Sequence, residues 1–518
     1  MRRFFINLLM AVVLYPSLSL AGGIVTNTNQ SASFIRKPVQ DAVIDATGTY
    51  YNPAGLVFLE EGFHLSLSNQ TISQTRTITS TFPGMARTEF EGGVSAPLFP
   101  TVYAVYKTGD LAFSFGVNPI GGGGSATFDD GLPSFEQQVA VLPPMLSAAG
   151  IGTTQYSMNA AFDGSSLNWG IQVNASYAIN EMIGVSAGVR YVIANNSYTG
   201  HLRDVRINPM HPLNAEGPGN MISAPVFFST LSAAAGGAAQ SMQPIIDGGG
   251  GIFTLDQLVN AGFLTPAEAA QLAGGLGASY NTSMTAAQVQ EAYNANAALM
   301  GGYAQATSDM QLDASQSGSG IVPVVGLNIK FSDDFNVALK YEHKASITMT
   351  NSTTIDDVGM YPDGLEVAAD MPAMLAVGAS YRVLPQLRIS GGVHYYFDKS
   401  ADYGKSLPND EVIDNNFWEA AFGFEYALNR SLILSAGYLR TQTGVNDKYH
   451  SDLSHSLSTN SIGGGAKYMI NPNLGINVGV MSTMYEAHTK SFTMQNISYN
   501  ENYDRVALTF AIGVDVKF

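Results

Sequence analysis

A chain of 518 residues with only 13% charged, and with 54 Gly, 26 Phe and 25 Tyr, is neither a disordered polymer nor a helical bundle. Cys is absent, which excludes disulfide scaffolds, thiolate metal sites and Cys nucleophiles. A net charge of −17 argues against nucleic acid as a partner, because phosphate binding needs a basic face.

Met1-Arg2-Arg3, the apolar run 4–14 and the small residues Ser19 and Ala21 predict a secretory signal peptide over 1–21, cut between Ala21 and Gly22. The alternative, an N-terminal membrane anchor, would need about 20 apolar residues. Losing Arg2 and Arg3 leaves 22 basic against 41 acidic residues, a net charge of −19. No later apolar stretch reaches 18 residues, so no transmembrane helix is expected.

Residues 22–61 show no regular period and are rich in turn formers, among them Gly48, Asn52, Pro53 and Gly55. From residue 62 onward the period is two. Leu167, Trp169, Ile171, Val173, Ala175 and Tyr177 alternate with Asn168, Gly170, Gln172, Asn174 and Ser176. Val506, Leu508, Phe510, Ile512, Val514 and Val516 do the same at the end of the chain. Alternation marks strands, and a second face this polar suits a water-filled lumen rather than a soluble core. A soluble β-sandwich would have to hide the apolar face Trp169, Tyr177, Phe422, Phe424 and Tyr426.

Tight turns at 108–110, 180–181, 332–334, 384–386, 428–430 and 471–473 make six hairpins. Strands at 62–78 and 503–518 complete fourteen, with longer loops at 79–98, 120–165, 204–320, 352–371, 399–415, 444–459 and 487–502. The expected fold is all-β: a fourteen-stranded antiparallel transmembrane barrel over 62–518 in the outer membrane of a Gram-negative bacterium. Such a barrel is wider than a filled eight-stranded one, so 22–61 is expected to plug it as a hatch. On the third strand, the alternation of 111–117 breaks at Asn118-Pro119-Ile120, followed by Gly121, Gly122, Gly123 and Gly124. Pro119 cannot donate to a ladder, and unpaired backbone at membrane depth is tolerated only where it lines a cavity or other protein. The other possibility is that 118–124 lies beyond the membrane and begins the loop.

Two of these stretches, Tyr51-Asn52-Pro53-Ala54-Gly55 preceded by Gly23-Ile24-Val25-Thr26-Asn27, and the broken third strand, resemble the FadL/TodX family of outer-membrane transporters for long-chain fatty acids and other hydrophobic compounds. The resemblance implies a hatch whose Asn-Pro-Ala motif (Asn52, Pro53, Ala54, with Gly55) gates the barrel. It also implies an inward kink at Asn118, Pro119 and Gly121–Gly124 that opens the wall sideways. Family members also carry a helical extracellular loop with a first, weak ligand site.

In the long insertion 204–320, Thr254/Gln257, Thr265/Glu268 and Thr285/Gln288 fit capping boxes, so short helices are expected at 255–261, 266–273 and 286–299. The Gly/Ala/Ser-rich run 231–251 reads as a flexible connector. Leu255, Leu258, Phe263 and Leu264 either line a groove for an amphiphile or pack the loop on itself.

For a ligand carboxylate, strand parity turns Arg190, Lys340 and Lys467 inward near mid-strand, with Arg382, Arg388, His394 and Arg505 also inward. The alternative is that these cations pair with inward Glu342, Glu419, Glu425 and Asp515. His450 and His455 share a polar loop with Asp447, Asp452 and several Ser residues, but without a nucleophile-elbow pattern. No catalytic residue, metal or cofactor is expected. The expected function is passive uptake of long-chain fatty acids or other hydrophobic molecules by a monomer that contacts membrane lipid and lipopolysaccharide. A general diffusion porin or a structural or adhesive barrel is the alternative.

Overall fold

The structure, a computed structural model, describes residues 24–404, 407–494 and 497–518. The expected signal peptide and the first two residues of the expected hatch lie outside them. Fourteen spans form one antiparallel sheet. They are β1 (Gly62–Ser80), β2 (Glu89–Thr108), β3 (Leu111–Phe128), β4 (Tyr156–Ala178), β5 (Ile183–Ile207), β6 (Met310–Lys330), β7 (Phe335–Glu342, continued by Thr348–Asp356) and β8 (Glu366–Ala368, continued by Met374–Leu384). There follow β9 (Leu387–Tyr396), β10 (Trp418–Ala427), β11 (Leu432–Gln442), β12 (Thr459–Asn471), β13 (Leu474–Tyr485, continued by His488–Met494) and β14 (Ile497–Lys517). Each span pairs with the next, and β14 returns to β1 from His64 opposite Lys517 to Ser80 opposite Glu501. The sheet closes on itself as a barrel, so among the described residues its long strands leave no free edge except where β2 and β3 part.

The outward face is apolar. Phe113, Val173, Phe422, Phe424, Phe510 and Ile512 are exposed, as a lipid-facing band requires. Near the short turns, Phe63, Tyr106, Tyr177, Tyr381, Tyr426 and Tyr468 are also exposed, the aromatic girdle that sits at a membrane interface.

Several strands run far past the bilayer. β4 has 23 residues and β5 has 25, where about 9–11 tilted residues cross the hydrocarbon. The loops expected at 120–165 and 204–320 are therefore shorter. Beyond the lipid both strand faces meet water, so the apolar alternation fades while the pairing continues. The first of these loops carries two helices without a marked sequence signal, α3 (Pro133–Ala140) and α4 (Leu142–Ala148).

The second loop is largely helical: α5 (Ala224–Asp247), α6 (Leu255–Asn260), α7 (Pro266–Leu276) and α8 (Ala286–Ala306). The three capping boxes form, at Thr254, Thr265 and Thr285. The run 231–251 is not a flexible connector, because α5 passes through it despite Gly236, Gly237 and Pro244. Its small residues let it lie close against α8, with Ala239 and Met242 buried beside Val289 and Tyr293; packing outweighs low helix propensity here.

Inside the barrel lies the N-terminal segment, with α1 (Ala32–Arg36), α2 (Gly48–Tyr51) and a 3-10 helix over Pro53–Phe58. Nearly every residue from 26 to 57 is buried. The wall facing it is made of glycine. A Cβ on Gly378 would come within 2.4 Å of the Asp41 Cβ, one on Gly392 within 2.0 Å of Asp41 Oδ2, one on Gly463 within 2.4 Å of the Ile35 carbonyl, and one on Gly479 within 2.8 Å of the Arg36 nitrogen. The segment rests on bare backbone.

Candidate functional site

Asn52 organises the end of the inner segment. Its side chain caps the 3-10 helix by accepting from Gly55 N (3.2 Å), and its Nδ2 donates to the Val43 carbonyl (3.0 Å) and to Asn328 Oδ1 on β6 (2.7 Å). Pro53 takes the first helical position, where no N–H is missed. Its carbonyl accepts from Ser176 Oγ on β4 at 2.8 Å. Ala54 is fully buried. The Asn52–Gly55 turn is thus tied by side-chain hydrogen bonds to the short-turn ends of β4 and β6.

The third strand departs from its neighbour. β2 and β3 pair from Thr108/Leu111 to Val102/Val117, then lose contact until Val94/Ala126. Residues 95–101 and 118–125 do not pair across the seam, and Leu98, in the parted stretch of β2, is 76% exposed. On its other side β3 keeps its ladder to β4, with register shifts between Pro119 and Gly121 and between Gly122 and Gly124. Gly122 (φ +85°) and Gly124 (φ +72°) adopt backbone that favours glycine. The displaced strand is met from inside. Asn27 N donates to the Ile120 carbonyl (2.8 Å), Thr26 bridges to Gly121, and Asn118 Nδ2 donates to Gln30 Oε1 (2.8 Å). A Cβ on Gly121 would stand 2.1 Å from the Val25 carbonyl.

The three cations favoured by parity face inward, and each meets a protein carboxylate. Arg190 grips Glu342 bidentately (2.6 and 2.9 Å), while Lys340 pairs with the same carboxylate (2.7 Å) and donates to the Tyr50 carbonyl (2.8 Å). Both cations also lie over the Tyr50 ring, at 4.7 and 4.5 Å. Lys467 pairs with Asp515 at 2.7 Å. Glu425 takes Arg36 (2.7 Å) and Lys37 (2.9 Å) from the inner segment. His394 stands between Glu419 (2.9 Å) and Asp41 (2.5 Å). The void beside Arg190, Glu342 and Tyr50 holds about 10 Å³, room for about one water.

Higher in the barrel the arrangement changes. Arg76 of β1, unmarked by the sequence reading, stands opposite Arg505 of β14, both buried. Among the described residues no carboxylate lies within ion-pairing distance of Arg76. Over this level, His450 and His455 of the loop after β11 are held neutral. Burial, with His488 and Lys490, pushes His450 down to about 3, and burial with Arg505 and Arg76 lowers His455 well below the usual range.

A cavity of about 110 Å³ opens among the outer loops, lined by Phe135, Phe162, Leu202, Met310, Leu312 and Met360. Helix α3 and the extended tips of β4 to β6 make its walls. The insertion's Leu255 and Leu258 are buried against Met242 and Val289, whereas Phe263 is 63% exposed and Leu264 packs at the margin. The pocket lining is thus built by residues other than the leucines anticipated. Its signal in the sequence was the aromatic and Met content of segments read as loops.

Closure on fourteen strands, an apolar girdle and an internally filled lumen define an outer-membrane β-barrel. Among the described residues no helix is long and apolar enough to cross a membrane. The architecture is that of the FadL/TodX channels. A Pseudomonas aeruginosa FadL homologue superposes with a TM-score of 0.55 at 13% identity, covering 95% of this chain and 98% of that chain. The Pseudomonas putida toluene transporter TodX gives 0.51 at 13% identity, over 96% of this chain and 100% of that one. A TodX deltaS2S3 mutant, a monoaromatic hydrocarbon channel, gives 0.50 at 14% over 94% and 99%. These proteins are transporters and channels rather than enzymes. At such identities the likeness is one of fold, and no known sequence family or curated relative matches the chain.

Proposed function

We propose that this barrel takes up hydrophobic molecules, long-chain fatty acids among them, passively across the outer membrane. The ligand enters at the outer loops, occupies the lumen above the inner segment and leaves sideways between β2 and β3 into the bilayer. The segment around Asn52-Pro53-Ala54 acts as the hatch. The observation that carries this reading is the lost pairing between 95–101 and 118–125, covered from inside by residues 25–30 of the same segment. A hatch that lets go of Ile120 and Asn118 uncovers a gap in the wall. The transport of toluene and monoaromatic hydrocarbons by proteins of this fold agrees with it. A diffusion porin would leave the lumen open, whereas this one is filled by buried side chains.

The chain has no Cys, so a single staple tests the route. A Cβ on Gly124 would lie 3.8 Å from the Ala96 Cβ, the usual separation in a disulfide, with the φ of +72° adding a strain of about 1–2 kcal/mol for any side chain there. The pair Ala96→Cys/Gly124→Cys, oxidised, is expected to abolish uptake of a fluorescent fatty acid by cells, and reductant to restore it. Undiminished uptake by the oxidised, folded barrel would remove the lateral exit.

A further inference from the structure

Arg76 and Arg505 are cross-strand partners at the seam where β14 closes on β1. Val506 is exposed on the outer wall, so Arg505 faces the lumen, and the two residues are 4% and 3% exposed. Guanidinium does not give up its proton, and like charges placed opposite each other in a sheet repel. A buried charge without a counterion is among the costlier things a fold can hold. The inner segment's level of the lumen answers each such charge with Glu342, Glu425 or Asp515. The seam does not do this for Arg76.

The surrounding groups are polar and neutral. Arg76 Nε donates to Gln74 Oε1 at 3.1 Å, and its Nη2 has no partner among the described residues. Gln74 donates in turn to the Tyr485 hydroxyl (3.2 Å), whose ring lies 5.0 Å from the Arg505 guanidinium. Arg505 Nη2 reaches the His455 carbonyl at 3.5 Å. His455 Nε2 and Thr459 Oγ1 are buried and likewise without a hydrogen bond. The nearby carboxylates are engaged elsewhere: Glu501 accepts from Tyr503 (2.8 Å) and Gln137 (2.8 Å), and Asp452 from Ser134 N (2.8 Å). One register step beyond the arginines, Ile78 faces Tyr503. Both belong to an apolar cluster with Phe90, Phe162 and Tyr361, against which Leu312 and Met360 of the outer cavity also pack.

We infer that Arg76 and Arg505 form a site for the carboxylate head of an amphiphile whose tail lies along that apolar cluster toward the outer cavity. Paired guanidiniums offer planar forks that match a carboxylate, and the orphaned Arg76 Nη2 and Thr459 hydroxyl supply further hydrogen bonds. The inference rests on the uptake reading and narrows it: the preferred ligand is an acid, not an uncharged hydrocarbon.

The test is calorimetric titration of the purified barrel, in a sugar-headed detergent, with dodecanoate and with methyl dodecanoate. The wild type is expected to bind the acid about tenfold or more tightly than the ester. Arg76→Gln and Arg505→Gln are each expected to lose that preference while keeping the ester affinity, and Arg76→Lys to fall between. Equal affinity of the wild type for acid and ester would overturn the anion site and leave the uptake reading standing. Binding of neither would remove the uptake reading itself. Variants that lose acid and ester together, or that keep the preference for the acid, would overturn the assignment to these two arginines. If the glutamine variants fail to fold, as judged by heat-dependent mobility in gels, the wild-type comparison and Arg76→Lys decide.

Discussion

The lumen has two levels that handle positive charge in opposite ways. At the level of the inner segment, Arg190 and Lys340 share Glu342, and Arg36 and Lys37 share Glu425. At the level of the outer loops, Arg76 faces Arg505 among neutral polar groups. The lower level is finished without a ligand and holds the segment in place. At the upper one, Arg76 has no carboxylate partner among the described residues, and on the inference above its counter-charge comes with the ligand. Inward-facing cations in this barrel are therefore not equivalent: Arg190, Lys340 and Lys467 are met by protein carboxylates, and Arg76, which among the described residues is not, is where we look for a ligand.

The sharpest way to break this comparison is to remove a carboxylate below. Glu342→Gln strands two buried cations and is expected to cost about 3–5 kcal/mol in urea unfolding of the detergent-solubilised barrel. A loss under 1 kcal/mol would show that the lower pairs are not structural. Asp515→Asn should cost less, about 1–2 kcal/mol, because Asp515 and Lys467 are partly hydrated at side-chain exposures of 21% and 17%. Arg76→Gln is expected to leave stability unchanged or raise it slightly, since it deletes a charge with no counterion. A drop comparable to that of Glu342→Gln would make the two levels alike after all.

The smallest effect concerns the outer loop after β9. Burial raises the Asp398 carboxyl to about 6 from its ordinary 3.8, against the opposing hydrogen bond from Tyr403 (2.6 Å). The folded loop binds this proton more tightly than the unfolded chain does, so its stability falls as pH rises from about 4 to about 6. Hydrogen exchange of residues 398–413, corrected for intrinsic rate, should show less protection at pH 7 than at pH 4. Asp398→Asn should remove the difference.

The barrel was legible because lipid imposes alternation: each of the six turns expected from residues such as Gly109, Asn180 and Pro472 joins two strands. Parity also turned Arg190, Lys340 and Lys467 inward correctly, but partners such as Glu342 come from the register between strands, which no single strand discloses. Arg76 escaped notice because β1 reads Gln74-Thr75-Arg76-Thr77 there, polar on both faces, so parity has nothing to contrast. Helix α5 escaped because its Gly and Ala residues look like a linker until α8 lies against them. The Pro119–Gly124 break was visible; what met it from inside, Asn27 and Gln30, was not.

The glycine wall has a consequence for assembly. Residues 35–41 press on Gly378, Gly392, Gly463 and Gly479 more closely than any side chain could, while residues 52–55 are tied to β4 and β6 on the other wall. A finished cylinder would offer no clearance through which such a segment could be threaded. The segment is better understood as a mandrel: first in the chain, it gives β8 to β13 the surface around which to wrap. Closing β14 against β1 then seals in a part that the cylinder was shaped upon.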